Sequence, residues 1–223
     1  MPLLVSGKDK QGNVIDVPRV PASFADVLER RMDAPQDVRT AWQTNYFFTG
    51  DGSAAGTAGD HLIVLDAQPL RELTAESKLC NGALVLSAGA WQELKAQKEK
   101  VFYLTAEEVQ QAQGQGYVQK EGVWTPANKT VGKVWDTLSR GRDLTSYISL
   151  VRESFPYSNS LLNIYFNSTI NDGVPTMRPW VAGRIGSYSG AGCDGNLYDD
   201  DGRLVGVVPE AHVAREKILE ARV

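Results

Sequence analysis

Asp66, Ser87 and Thr105 each follow a short apolar run, and each could begin a helix. They are spaced 21 and 18 residues apart, which leaves room for a strand, a short helix and two tight loops. If the three strands are parallel neighbours, three helix N-termini meet at one edge of the sheet, and their free N–H groups favour an anion. These residues are therefore candidate ligand-binding residues for a small hydrolase or transferase, although ordinary helix capping also explains all three.

A second group of candidate residues is acidic. Asp199, Asp200 and Asp201 precede Gly202, and Asp194 lies just upstream. Carboxylate oxygens are ligands that Ca²⁺ and Mg²⁺ prefer, so this segment is a candidate metal site. The segment does not fit an EF-hand, because placing that loop's glycine at Gly202 puts leucine and valine at ligand positions that need acids. A turn between two strands also favours Asp and Gly for backbone reasons, and this is the simpler interpretation.

A third combination is His61 with Cys193, which lies in a glycine-rich stretch before a predicted hairpin. The order histidine, acid, cysteine is similar to that of chymotrypsin-like cysteine proteases. The similarity is partial, because Cys193 is not followed by two glycines and the intervening chain predicts helices rather than two β-barrels. A thiol nucleophile needs a base within hydrogen-bond distance, and sequence spacing leaves that distance open. We predict no cofactor, since neither His61 nor His212 belongs to a group with zinc-site spacing.

The elements that position these residues begin with a predicted hairpin. Strand-forming residues at 3–5 and 14–17, apolar except for Asp16, flank a polar loop, and Pro18 and Pro21 are expected to end the pairing. Ser23 then caps a helix. Four glycines between residues 50 and 60 predict a flexible segment that is either a hairpin or a connecting loop, with a flap over the strand-end site as the alternative. The sequence of a phosphate-binding loop is absent there, because no helix follows these glycines.

The predicted fold is mixed α+β. A small, partly parallel β-α-β-α-β-α middle spans about 61–115, an αα-hairpin follows at 131–151, and a C-terminal antiparallel β element precedes a closing helix over 210–222. We expect one compact domain over 1–223. A secondary boundary near 155–160 would separate an α/β part (1–155) from a β-rich part (160–223).

Composition restricts the class of function. The chain has 223 residues, 42% of them hydrophobic and 22% charged, as in ordinary globular proteins. The net charge of −4 argues against a nucleic-acid partner, and the five tryptophans are scattered rather than interleaved with basic residues. The absence of a ~20-residue apolar stretch argues against a membrane partner. Two cysteines and no recognisable signal peptide lead us to expect a cytoplasmic protein.

The leading functional hypothesis is a non-catalytic binding or assembly protein, a subunit of a larger complex or a self-associating oligomer. It follows from the lack of a dense catalytic or metal-binding pattern and from long polar segments at 50–60 and 186–202. The first alternative is the hydrolase or transferase with its site at Asp66, Ser87 and Thr105. The second is a Ca²⁺- or Mg²⁺-binding module that uses Asp194 and the 199–201 turn.

Overall fold

A computed structural model describes residues 3–8, 14–167, 173–185, 190–193, 197, 203–204 and 206–207. Its helices, in chain order, are α1 (Phe24–Asp33), α2 (Gln36–Thr44), α3 (Gln68–Arg71), α4 (Ala88–Ala96), α5 (Ala106–Ala112), α6 (Lys129–Leu138) and α7 (Thr145–Ser154). Its strands are β1 (Leu3–Lys8), β2 (Val14–Pro21), β3 (Phe47–Ala55), β4 (His61–Val64), β5 (Leu79–Cys80), β6 (Ala83–Val85), β7 (Val101–Leu104), β8 (Tyr117–Lys120), β9 (Val123–Pro126), β10 (Ser160–Leu161), β11 (Ile164–Tyr165), β12 (Thr176–Ala182), β13 (Ala191–Gly192), β14 (Arg203–Leu204) and β15 (Gly206–Val207). The predicted closing helix over 210–222 lies outside the described residues.

The central sheet has the strand order β11-β13-β12-β3-β4-β7, with β6 paired to β12 and β14 paired to β3. Strand β4 is antiparallel to β3 and to β7, and β12 is antiparallel to β3 and to β6. Among the described strands, parallel pairing is confined to two-residue contacts of β11 with β13 and of β14 with β3. The predicted fold, with its partly parallel β-α-β-α-β-α middle, is therefore wrong.

The short helix after β4 is one reason why the middle of the chain is antiparallel. Helix α3 has four residues and is about 6 Å long, too short to carry the chain back along the sheet for a parallel crossover. The chain instead forms β6 on the far side of β12, and β7 then returns beside β4 in the opposite direction. Capping residues do not encode which strands become neighbours, so the sequence pattern left this choice open.

The glycine-rich segment at 50–60 is mostly a strand, so the prediction of a flexible loop or flap over the whole range is wrong, whereas the predicted hairpin is present, since β3 and β4 are antiparallel neighbours. Residues 50–55 belong to β3, and only 56–60 form the turn into β4. A Cβ at Gly52 would lie 2.9 Å from the Cβ of Ala67 and 3.2 Å from the Sδ of Met177. The glycines allow close packing of neighbouring segments here, which composition alone does not distinguish from flexibility.

Strands β1 and β2 form an antiparallel hairpin with Leu3 opposite Arg19 and Lys8 opposite Val14. The expected end of pairing at the prolines is wrong. Pro18 lies opposite Leu4, and β2 continues to Pro21, which faces Gly206 of β15. A proline is tolerated in a strand of a small sheet wherever its missing N–H is not needed by the neighbouring strand.

The main core lies between the central sheet and helices α1, α6 and α7. Trp135 of α6 and Trp180 of β12 are completely buried, and Phe24 packs edge-on against Trp135 with ring centroids 5.6 Å apart. The indole N–H of Trp135 donates to the carbonyl of Leu162 at 2.8 Å, so this large side chain is buried without losing its hydrogen bond. A second cluster of buried apolar residues, which includes Trp91, lies near α3 and α4.

Candidate functional site

Two of the three predicted strand-end residues act as helix caps. The Oγ of Ser87 accepts a hydrogen bond from the amide of Ala90 at 3.0 Å, which begins α4. Thr105 and Glu108 form a reciprocal capping box at the start of α5, with distances of 3.2 and 2.9 Å. The hydrogen bond from the Thr105 amide is the main reason why the pKa of Glu108 is lowered. Capping accounts for the positions of both residues.

Asp66 has a different environment. Because β4 and β7 are antiparallel, Asp66 after β4 and Thr105 after β7 lie at opposite ends of this strand pair. Asp66 has a φ of 52°, and helix α3 begins after it, with Ala67 in the N-cap position. The structure therefore does not bring Asp66 and Thr105 together at one edge of the sheet.

Asp66 instead belongs to a buried cluster of charges centred on Asp51. The Asp51 carboxylate accepts hydrogen bonds from the amides of Phe24 at 2.7 Å and Asp66 at 2.9 Å. Arg140 donates to both Asp51 oxygens at 3.1 Å and lies 3.3 Å from the Asp66 carboxylate. Arg71 also pairs with Asp66, at 2.9 Å. The cluster joins the start of α1, strand β3, the end of β4 and the turn between α6 and α7.

The charges of this buried cluster compensate one another. Burial by itself lowers the pKa of Arg140, but the neighbouring carboxylates, Asp51 first and then Asp66 and Asp26, outweigh it and raise the pKa above its ordinary value. Arg140 is therefore permanently charged. Its φ of 55° places it in the left-handed region, where a branched or bulky residue is strained. Both oxygens of the Asp51 carboxylate accept hydrogen bonds from a backbone amide and from Arg140, so we assign the cluster a structural role.

A small cavity lies where β3, β4 and β12 meet. It is lined by Ser53, Ala55, His61, Asn167, Thr176, Arg178 and Cys193, and its volume of about 10 Å³ is enough for roughly one water molecule. His61 and Cys193, the two residues of the partial protease similarity, both line it. Their chain positions are far apart, and the strand pairing of the central sheet brings them to the same place.

The imidazole of His61 is held in a defined orientation. Its Nδ1 lies 3.1 Å from the Oγ of Ser53 on the adjacent strand, and the ring packs edge-on against Phe166 with centroids 5.0 Å apart. Burial lowers the pKa of His61 to about 4, and the nearby charge of Asp60 offsets only part of this effect. The imidazole is consequently neutral at pH 7.

Arg178 is the charged residue of the cavity wall. It lies opposite Ser53 in the pairing of β12 with β3, is 6% exposed, and donates to the carbonyl of Asn81. Cys193 is 1% exposed, and its amide donates to the carbonyl of Tyr165 at 2.9 Å. A buried imidazole, guanidinium and thiol thus share one water-sized space.

An exposed surface of a different kind surrounds β9. Tyr157 is 95% exposed and Val123 is 62% exposed, which are large values for apolar or aromatic side chains. Arg152 links the two segments that carry them, since its guanidinium lies 5.9 Å from the ring centroid of Trp124, the residue after Val123, and donates to the carbonyls of the two residues before Tyr157. We refer to Val123, Trp124, Arg152 and Tyr157 as the aromatic surface.

The acidic residues proposed as metal ligands, Asp194, Asp199, Asp200 and Asp201, lie outside the described residues, as does His212. Within the described ranges, no three His, Cys, Asp or Glu side chains are grouped so as to hold a metal ion. None of the helices in those ranges is both long and apolar enough to cross a bilayer.

Sequence reasoning missed Asp51, Arg140, Arg178 and Tyr157. Asp51 lies in the segment for which the glycines predict a loop. The available signal for Tyr157 was its position in the segment Pro156-Tyr157-Ser158-Asn159, where a turn-forming composition leaves an aromatic ring without a predicted place in the core.

Comparison with known proteins adds information on the fold. No protein family and no curated protein matches the sequence. The chain is similar to a solved structure described as showing the accommodation of massive sequence variation in Nanoarchaeota by the C-type lectin fold. The TM-score is 0.51 at 14% sequence identity, and the match covers 83% of this chain and 82% of that chain. At this identity the likeness concerns the fold alone: the antiparallel sheet with its flanking helices resembles a C-type lectin fold.

Proposed function

We propose that the protein is a non-catalytic binding protein that assembles with a second copy of itself through the aromatic surface. The observation that carries the proposal is the 95% exposure of Tyr157, together with the 62% exposure of Val123. Exposed aromatic side chains next to arginine are typical of the residues that dominate binding energies in protein interfaces. Scattered single apolar residues need no such explanation, but these lie on one short sheet and the loop beside it.

Strand pairing and hydrogen bonds hold the residues of the aromatic surface in place. Strand β9 pairs with β8 over four positions, and β8 also pairs with β10, which immediately follows the loop that carries Tyr157. The Oγ of Ser158 donates to the carbonyl of Ser160, and Arg152 binds the carbonyls before Tyr157. Both sides of the surface are therefore tied to regular structure, which lowers the conformational entropy that binding would cost.

A second copy is the occupant to which the chemistry is best suited. A two-fold interface brings the same patch of both subunits together, so the patch must be complementary to itself. This surface contains a guanidinium and two aromatic rings, and a cation over a ring face is an attractive contact that each copy can offer to the other. The interface would be small, so we expect reversible association that depends on concentration.

The test is the solution mass of the purified chain by light scattering over a concentration series. We expect a mass approaching twice that of one chain at high concentration, and a return to one chain mass in Tyr157→Ser. Val38→Ser is the matched control, because Val38 is 41% exposed on helix α2. A wild-type chain that is monomeric at every concentration, or a dimer unaffected by Tyr157→Ser, would contradict self-assembly through this surface.

A further inference from the structure

Strand β7 lies at one end of the central sheet, and among the described strands it pairs only with β4. An edge strand carries backbone N–H and C=O groups that are ready to pair with another chain. We infer that the side chains of Lys133 and Glu108 form an edge cap, which prevents the central sheet from being extended by strand β7 of a second copy of the chain. The inference concerns the central sheet and does not depend on the aromatic surface.

The register of β7 with β4 determines which backbone groups point away from the sheet. Lys100, just before β7, lies opposite Leu65, and the Leu65 amide donates to the Lys100 carbonyl at 2.8 Å. Bonded and non-bonded positions alternate along an antiparallel pair. The N–H and C=O groups of Phe102 therefore face β4, whereas those of Val101 and Tyr103 face outward.

Two side chains occupy consecutive outward groups of this edge. The Nζ of Lys133 in α6 donates to the carbonyl of Tyr103 at 2.9 Å. The carboxylate of Glu108 in α5 accepts from the amide of Thr105, the next outward position, at 2.9 Å. Lys133 and Glu108 also pair with each other at 3.1 Å. A residue of a parallel neighbouring strand would likewise donate to one carbonyl and accept from the amide two residues further on, so the ion pair takes the place of the next strand.

A second lysine approaches the same edge from the opposite face of the sheet. The main core and the second cluster lie on opposite faces, because Ile63 belongs to the first and its neighbour Leu62 to the second. Lys95 of α4, on the face of the second cluster, places its Nζ 4.2 Å from the centroid of the Tyr103 ring. Two copies that met edge to edge would bring their lysines together, and like charges oppose such an approach.

A second copy is the partner that this edge would admit without the edge cap. Two identical strands related by a two-fold axis pair antiparallel, so β7 needs no partner of different sequence. Val101 and Tyr103 would each exchange hydrogen bonds with the partner strand. The bond from Lys133 to the Tyr103 carbonyl must break first, and a charged donor makes one of the stronger hydrogen bonds.

The experiment compares two lysine variants of the full chain, both made in the Tyr157→Ser background so that the aromatic surface is removed. Lys133→Met keeps the length of the side chain and loses the donor, whereas Lys129→Met makes the same charge change at an exposed position of α6. The Lys133 side chain is 39% exposed, so we expect the variant to fold, and circular dichroism checks this. Light scattering over a concentration series should give an association constant at least about tenfold higher for Lys133→Met, because pairing no longer breaks a charged hydrogen bond in each copy.

Hydrogen exchange identifies the strand that associates. In the Lys133→Met chain, the amides of residues 101–104 should exchange more slowly at high than at low protein concentration. Equal association constants in the two variants, or association that leaves exchange at 101–104 unchanged, would overturn the inference. Association through any other surface affects both variants alike and cancels in the comparison, so this outcome is distinct from that of the Tyr157→Ser test.

Discussion

The guanidinium of Arg140 donates one hydrogen bond to each oxygen of the Asp51 carboxylate, both at 3.1 Å, across 89 positions of the chain. The Asp51 side chain is fully buried, and that of Arg140 is 11% exposed. At this depth desolvation opposes the pair, and the attraction offsets it only when the remaining polar atoms are also bonded. Asp51 meets this condition through the amides of Phe24 and Asp66. The ion pair thus fastens the α6–α7 turn to the central sheet.

Removing the charge of Asp51 is expected to destabilise the protein strongly. Asp51→Asn keeps the shape of the side chain but leaves the Arg140 guanidinium without its principal counter-charge in a buried site. The free energy of unfolding should fall by about 3–5 kcal/mol, the range found when one partner of a buried pair is removed. Urea unfolding followed by circular dichroism measures this change.

Glu29→Gln is the matched control for Asp51→Asn. Glu29 pairs with Arg142 at 3.2 Å, but both side chains are partly exposed, at 31% and 26%. Exposed pairs contribute little, so we expect a loss of no more than about 1 kcal/mol. A similar loss of unfolding free energy in the two variants would show that the buried Arg140–Asp51 pair contributes no more to stability than an exposed pair.

Titration of His61 is expected to make the folded state acid-sensitive. The unfolded chain binds this proton with a pKa near 6.5, whereas burial lowers the pKa of the folded state to about 4. Between these values the unfolded state holds more protons, so stability falls as the pH falls through this window and is constant above it. The full difference corresponds to about 3 kcal/mol.

His61→Gln tests this dependence because glutamine does not titrate. The difference in unfolding free energy between pH 7.5 and pH 4.5 should be smaller in the variant than in the wild type, while carboxylates contribute equally to both. Denaturant unfolding of the wild type and of the variant at both pH values gives the four unfolding free energies required. An identical pH dependence in both chains would mean that His61 is not responsible for it.

Any side chain at Gly52 is expected to lower the stability of the protein, because neighbouring atoms lie too close to accommodate it. Gly52→Ala places a Cβ 2.9 Å from that of Ala67, between segments fixed by strand pairing, and should cost about 1–3 kcal/mol by overpacking. Gly89 is the control, since the nearest atom to a Cβ there is 3.8 Å away and the residue lies in helix α4. Gly89→Ala should raise stability by about 0.5–1 kcal/mol. Thermal melts distinguish the two directions of change.

Local features of the chain were predictable because their causes are local. The predicted helix starts at Ser23, Ser87 and Thr105 depend on caps that bond residues three positions along the chain, and all three are confirmed. Apolar spacing likewise identified the buried face that carries Trp135. In each case the interaction closes within one turn of helix, so the sequence contains all of its information.

The tertiary structure alone decided which of these elements meet. The apolar runs before Asp66 and Thr105 suit parallel and antiparallel strands equally well, and the direction of β7 against β4 separated the two residues. Strand β12, more than 70 residues further along the chain than β7, supplied both Trp180 for the core and Arg178 for the cavity beside His61. Contacts over such distances depend on the energy of the whole packed sheet rather than on neighbours in sequence. The chain by itself therefore determined the helix starts at Ser23, Ser87 and Thr105 and its apolar faces, while the partners of Asp51, His61 and Cys193 became defined only on folding.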